Sequence, residues 1–141
     1  MANRADPRQL VDQFIDRINA HDADALAELM SEDHRFIDAA GECHSGREAM
    51  RRAWEQYFAC FPDYRIDVDD EMIDGEVVAV FGWASGTYSG TIDSDASKAW
   101  RIPGAWRART RESHVTEWRV WANIEPMMRS MGIRRQARPD L

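Results

Sequence analysis

The apolar residues of this chain change their period once, and that change constrains the fold more than any other feature. Up to about residue 61, apart from the short run at 34–38, they recur every three or four positions, the period of a helix face. From Tyr64 onward they alternate, the period of a strand. Leu10, Val11, Phe14, Ile15 and Ile18 form the first stripe, opened by Asp6-Pro7, a capping side chain before a proline at the first helical position. "NAHD" breaks that helix, and Asp22 can cap a second in which Leu26, Leu29 and Met30 face inward. "HRFID" follows as a short strand. Ser45 and Glu48 fit the S-x-x-E capping box of a third helix, running to about Phe58 and ended by "FPD" at 61–63.

The remainder predicts sheet. In "YRIDVDDEMI", Tyr64, Ile66, Val68 and Met72 alternate with Arg65, Asp67, Asp69 and Glu71, and Asp74-Gly75 is a hairpin turn signal. Residues 76–90 predict a long strand, with Gly82, Gly86 and Gly90 marking bends or bulges. Residues 91–99 predict a polar loop placed to act as a lid. Residues 100–111 and 114–123 predict a final antiparallel pair. Trp100, Ile102, Trp106 and Ala108 share one face of its first strand, and Arg101, Arg107, Arg109 and Arg111 the other, if Pro103-Gly104 preserves register. A short methionine-rich cap over 125–132 and a basic tail over 133–141 complete the chain. Helices first and strands after predict an α+β fold in a single domain over 1–132. Three N-terminal helices would pack on a cone-shaped, curved antiparallel sheet and enclose an apolar pocket.

Composition narrows the partners. A length of 141 residues suffices for one continuous core. The net charge of −7 argues against nucleic acid, whose binding draws mainly on clustered Lys and Arg. No apolar run reaches the roughly 20 residues of a membrane span, and no signal peptide opens the chain, so the expectation is a cytoplasmic protein without membrane contact. Cys43 and Cys60 make neither a disulfide framework nor a metal spacing, and both are expected reduced and partly buried. Four scattered histidines make no ligand pattern, so no metal and no cofactor are expected. Six tryptophans are the outlier, and they suit either a packed core or a ligand pocket.

The candidate chemistry gathers at "HRFIDAAGECHSG", residues 34–46. Asp38 reads as a general base with a raised pKa, or as a carboxylate accepting backbone N–H groups in a turn. His44 reads as its proton-shuttling partner or as an exposed loop residue. His34 and His114 read as surface residues and His21 as a helix end. Trp54, Tyr57, Trp83, Tyr88, Trp100, Trp106 and Trp118 form the aromatic set, from which pocket walls would be drawn. Tyr88 and Asn123 could orient a carbonyl. The arginine stripe, balanced by Asp67, Asp69 and Glu71, suggests a sheet face that docks a second subunit.

The order "INAHDADALAELMSEDHRFID", G-x-x-x-x-G-R-E-A at 41–49 and "FPDYRIDVDD" resembles the nuclear transport factor 2-like superfamily. Within it, "FPD", "SGTYSG" and "EWRVWANIEPMMRSMG" resemble the SnoaL-like polyketide cyclase (ester cyclase) group, over about residues 8–132. The resemblance implies a cone-shaped fold, a homodimer through the sheet face, and ring closure by an intramolecular aldol reaction without metal or organic cofactor. The group's acid on the last strand falls at Val120 or Asn123 and its assisting histidine near Trp106, so that catalytic pair is absent here. Trp106 and Trp118 fall where the family lines its cavity. The ketosteroid isomerase branch is also similar: its base matches Asp38 in "DAAG", its oxyanion tyrosine matches Phe14, and its second acid meets "IPGAW". The resulting expectation is a pocket for a small, apolar, carbonyl-bearing molecule, with cofactor-free cyclase or isomerase chemistry. Asp38 would be the base, assisted by His44 or Tyr88. A noncatalytic binder or an accessory dimerisation subunit is the alternative.

Overall fold

A computed structural model describes residues 5–92 and 97–133. The central residues of the expected lid, 93–96, and nearly all of the expected tail, 134–141, lie outside the described residues. The helices are α1 (Pro7–Asn19), α2 (Ala23–Glu28), α3 (Arg47–Cys60) and α4 (Glu125–Ser130). The strands are β1 (Met30–Ile37), β2 (Cys43–Ser45), β3 (Arg65–Asp74), β4 (Val77–Thr87), β5 (Ala99–Arg111) and β6 (His114–Ala122). They form one sheet in the order β2-β1-β6-β5-β4-β3. The α+β class is as expected, but the sheet is mixed, because β1 runs parallel to β6.

Helix α1 starts where Asp6 Oδ1 accepts the Arg8 N–H at 3.0 Å, and all five residues of its apolar stripe are buried. Its far end is tied to the sheet by Asn19, which donates to the Ile66 carbonyl at 3.0 Å and accepts the Ile66 N–H at 2.8 Å. Asp22 caps α2 through the Ala25 N–H at 3.0 Å. Met30, expected on that helix, is instead the buried first residue of β1. The expected capping box does not form. Ser45 belongs to β2, paired with Arg35, and the N-cap of α3 is Gly46 at φ 102°. Strand pairing has claimed the serine, and Glu48 turns to Arg51, whose Nη2 donates to it at 2.8 Å.

Inner-face parity is regular in the last strands. Trp100, Ile102, Trp106 and Ala108 are buried, and the β4–β5 register runs unbroken through Pro103 and Gly104. The expected parity of β3 holds only at Tyr64 and Ile66. A register shift between Val68 and Asp70 bulges the strand, leaving Val68 and Met72 exposed, the latter at 64%. Strand β4 itself carries no bulge; its Gly82 admits the bulged neighbour. A Cβ there would lie 2.0 Å from the Asp67 carbonyl oxygen.

The outer face corrects the expected charge pairing. Glu117, 2% exposed, accepts from Arg35 Nη2 at 2.8 Å, Arg107 Nη2 at 3.1 Å and Arg109 Nε at 3.1 Å. The arginine stripe is thus partly neutralised from within β6. Asp67 pairs with Arg65, and Glu71 lies against Asp12 of α1.

His34, expected at the surface, is fully buried. Its Nδ1 donates to the Val115 carbonyl at 2.7 Å, while Nε2 is buried without a partner. Burial pushes its pKa down, against the Val115 hydrogen bond and the nearby Asp33 and Glu117 charges. As pH falls below about 6.5, the unfolded chain takes up a proton that the folded chain refuses, so stability falls with pH in that window. Thermal melts from about pH 7.5 to about 5 should therefore show a falling Tm, with a shallower slope in His34→Asn. Equal slopes would remove His34 as the cause.

Candidate functional site

Between α3 and the inner faces of β4, β5 and β6 lies a cavity of about 390 Å³. That volume falls near the lower end of the roughly 300–1,000 Å³ typical of small-molecule sites. Of the residues singled out from sequence, Asp38, His44, Trp54, Tyr57, Trp100, Trp106 and Trp118 line it. Four others do not. Phe14 is core, packed on Trp118 at 5.1 Å and His34 at 6.0 Å between ring centroids. Trp83 lies on the outer face beneath the Arg101 guanidinium, 4.0 Å away, because even-numbered residues of β4 occupy the inner face. Tyr88, just beyond β4, packs against Phe61 at 6.1 Å. Asn123 is exposed and accepts the Glu125 N–H at 3.1 Å at the start of α4.

Sequence reasoning missed Phe36, Tyr64, Val120 and Met127 as lining residues. Three carried a usable signal. Phe36 and Asp38 alternate with the buried His34 along β1, Val120 shares inner parity with Trp118, and Tyr64 leads the apolar alternation into β3. Met127 carried none, since its place depends on α4 folding back over the cavity. There the Tyr57 hydroxyl donates to Met127 Sδ at 3.4 Å. Burial pushes both lining phenols, Tyr57 and Tyr64, above their ordinary pKa, so both are neutral.

Asp38 and His44 meet across the β1–β2 turn. Asp38 Oδ1 accepts the Ala40 N–H at 3.0 Å and the Glu42 N–H at 2.9 Å, and Oδ2 accepts His44 Nε2–H at 3.0 Å. Both readings of this carboxylate thus hold at once: it orders a turn and it pairs with the histidine. Burial raises its pKa, but the hydrogen bonds from His44 and from the Glu42 and Ala40 amides outweigh burial and hold it below the ordinary value. That corrects the expectation of a raised pKa. Because the Nε2 proton is committed to Asp38, Nδ1 is the ring nitrogen left to accept a proton. Asp38 is thus placed to orient the His44 ring, which leaves Nδ1 as the unengaged nitrogen of the pair.

Glu42 adds a third donor. Asp38, Glu42 and His44 each place one ligand atom within 4.8 Å of the others, a set that histidine spacing did not signal. Two carboxylates and an imidazole are donors suited to a divalent cation. Cys43 beside them is exposed rather than partly buried, and Cys60 is half-buried.

A family model described as a SnoaL-like domain matches residues 11–118. The chain belongs to the SnoaL-like domain family. No curated protein matches it. Among solved structures, a hypothetical protein with a ketosteroid isomerase-like fold from Catenulispora acidiphila, in complex with trimethylamine, aligns at TM-score 0.77 and 19% identity. That alignment covers 93% of this chain and 98% of the other. A candidate SnoaL-like polyketide cyclase from Jannaschia sp. CCS1 aligns at TM-score 0.77 and 18% identity, over 92% and 93% of the two chains. IdmH, a candidate polyketide cyclase from Streptomyces antibioticus, aligns at 0.75 and 21%, over 92% and 100%. At these identities the likeness is one of fold. No helix among the described residues is long and apolar enough to cross a membrane.

The Asp38 assignment has a direct check. The carbon-13 shift of its carboxyl should titrate with a midpoint below 3.8. A midpoint above the ordinary value would restore Asp38 as the general base.

Proposed function

We propose that this SnoaL-like domain binds a small, largely apolar molecule and holds its polar group against the His44–Asp38 pair. The observation that carries this reading is the lining itself: a mostly aromatic and aliphatic wall with one ordered polar pair at its edge. The same pair favours a second, catalytic reading, cofactor-free proton transfer on an apolar, polyketide-like carbonyl substrate. The family and the named cyclases among its structural neighbours support that class. His44 Nδ1 would take the proton and Asp38 would orient the ring, reversing the roles expected from sequence. A positioned base of this kind is worth about 10² to 10⁴ in rate. No Lys or Arg is among the described lining residues to stabilise a developing oxyanion, so binding is the stronger of the two readings.

A thermal-shift screen of aromatic polyketides, steroids and terpenoids tests both. Ligand at about 100 times its Kd should raise Tm by several degrees. Ala53→Trp, which narrows the cavity from α3, should abolish the shift. Turnover that His44→Gln removes while the shift persists would establish catalysis. A shift without turnover in the wild type leaves a binding protein, and no shift with any ligand defeats the proposal.

The outer sheet face supports a homodimer. Asp67, Asp70 and Asp74 lie on it along β3, Ala79, Phe81 and Trp83 along β4, and Arg101, Arg107 and Arg109 along β5. Phe81 and Trp121 are 40% and 44% exposed there. A two-fold axis near the apolar centre would lay the acidic edge of one copy on the basic strip of the other. Sedimentation should give a dimer for the wild type and a monomer for Phe81→Glu; a monomeric wild type at micromolar concentration would exclude this interface.

A further inference from the structure

The cavity is walled largely by aromatic rings. Besides Phe36 and the His44 imidazole, lining rings belong to Trp54, Tyr57, Tyr64, Trp100, Trp106 and Trp118. Neighbouring rings are crossed: Trp54 meets Tyr57 at 87° and Tyr57 meets Tyr64 at 81°, with centroids 5.9 and 4.8 Å apart. An aromatic face carries negative potential, so rings arranged around a common space attract a cation into it. No Lys or Arg lines the cavity among the described residues. The indole nitrogens of Trp54 and Trp100 are sealed within the protein rather than at the cavity surface. The Tyr57 hydroxyl is engaged by Met127.

The mouth has the same sign as the walls. Asp38 lines it together with His44, which donates to it at 3.0 Å, Glu42 places a second carboxylate within the same 4.8 Å cluster, and the whole chain carries a net charge of −7. Such a field draws cations toward the site and repels carboxylates. A neutral hydrocarbon would fill the space but gain nothing from the Asp38 charge, whose oxygens already accept from the Ala40 and Glu42 amides and from His44.

Resting on the binding role above, we propose that the ligand is an apolar amine held as its ammonium ion, with the alkylated nitrogen inside the aromatic cage and directed toward Asp38. Desolvated rings supply the cation–π attraction, and the carboxylate supplies the counter-charge. The remaining apolar part of the ligand lies along Ile102, Val120 and Ile124.

Isothermal titration with three probes of similar shape tests the assignment: phenyltrimethylammonium, its neutral carbon isostere tert-butylbenzene, and benzenesulfonate. The ammonium ion should bind at least about tenfold more tightly than the isostere, equivalent to about 1.4 kcal/mol, and benzenesulfonate most weakly. In Asp38→Asn the ammonium-to-isostere affinity ratio should fall about fivefold. Because the ratio is taken within each protein, partial misfolding does not imitate the effect. A wild-type ratio at or below one, tighter binding of benzenesulfonate, or a ratio unchanged in Asp38→Asn would overturn the amine assignment and leave the binding role standing. No binding of any of the three would likewise overturn the amine assignment, whereas the binding role falls only if the ligand screen above also gives no shift.

Discussion

The carboxylate of Glu117 sits at the junction on which the rest of the structure depends. Strand β1 joins the sheet beside β6 in parallel, and Glu117 links it through Arg35 to Arg107 and Arg109 of β5. Burying a carboxylate costs several kcal/mol, and a single partner often fails to offset that cost. Three guanidinium groups change the balance, and each stays partly exposed, so little of their own hydration is lost. Deleting the carboxylate would leave three like charges crowded on one face. The side chain therefore fixes which strands meet here more than it adds net stability. His34 reinforces the same junction from the inner side through its bond to the Val115 carbonyl.

The site inherits its geometry from that junction. Because β1 is held in place, its inner parity carries on from His34 to Phe36 and delivers Asp38 to the edge of the cavity. The β1–β2 turn then folds His44 back onto it. The turn amides and the imidazole keep the carboxylate ionised, which weakens it as a base and strengthens it as a fixed charge. A wall of carbon and π-density next to one fixed negative charge suits an apolar occupant and penalises a developing enolate. Val120 lines the cavity and Asn123 is exposed at the start of α4, and neither side chain exchanges a proton near neutral pH.

Much of this was legible in order of locality. The α1 stripe, the caps at Asp6 and Asp22 and the faces of β5 all follow from side-chain direction over a few residues. The same parity argument, applied to β4, places Trp83 outside, and applied to β1 it places His34 inside. Those two assignments were within reach of the sequence and were missed because each residue was weighed by type rather than by position. The Ser45 cap failed for a different reason. The motif was present, but a strand pairing with Arg35 competed for the same residue, and tertiary pairing prevailed over local preference.

The sequence by itself determined the α+β class, the sequence of elements, the inner faces of the last strands and the closeness of Asp38 to His44. These are encoded in periodicity and in separations of a few residues, where backbone geometry leaves few alternatives. The tertiary structure decided the bulge in β3, the parallel placement of β1, the acid that holds the arginines and the position of Met127 over the cavity. Arg35 and Glu117 are 82 positions apart, and Tyr57 and Met127 are 70 apart. Contacts at that range depend on how the whole sheet closes, and local pattern does not contain that information.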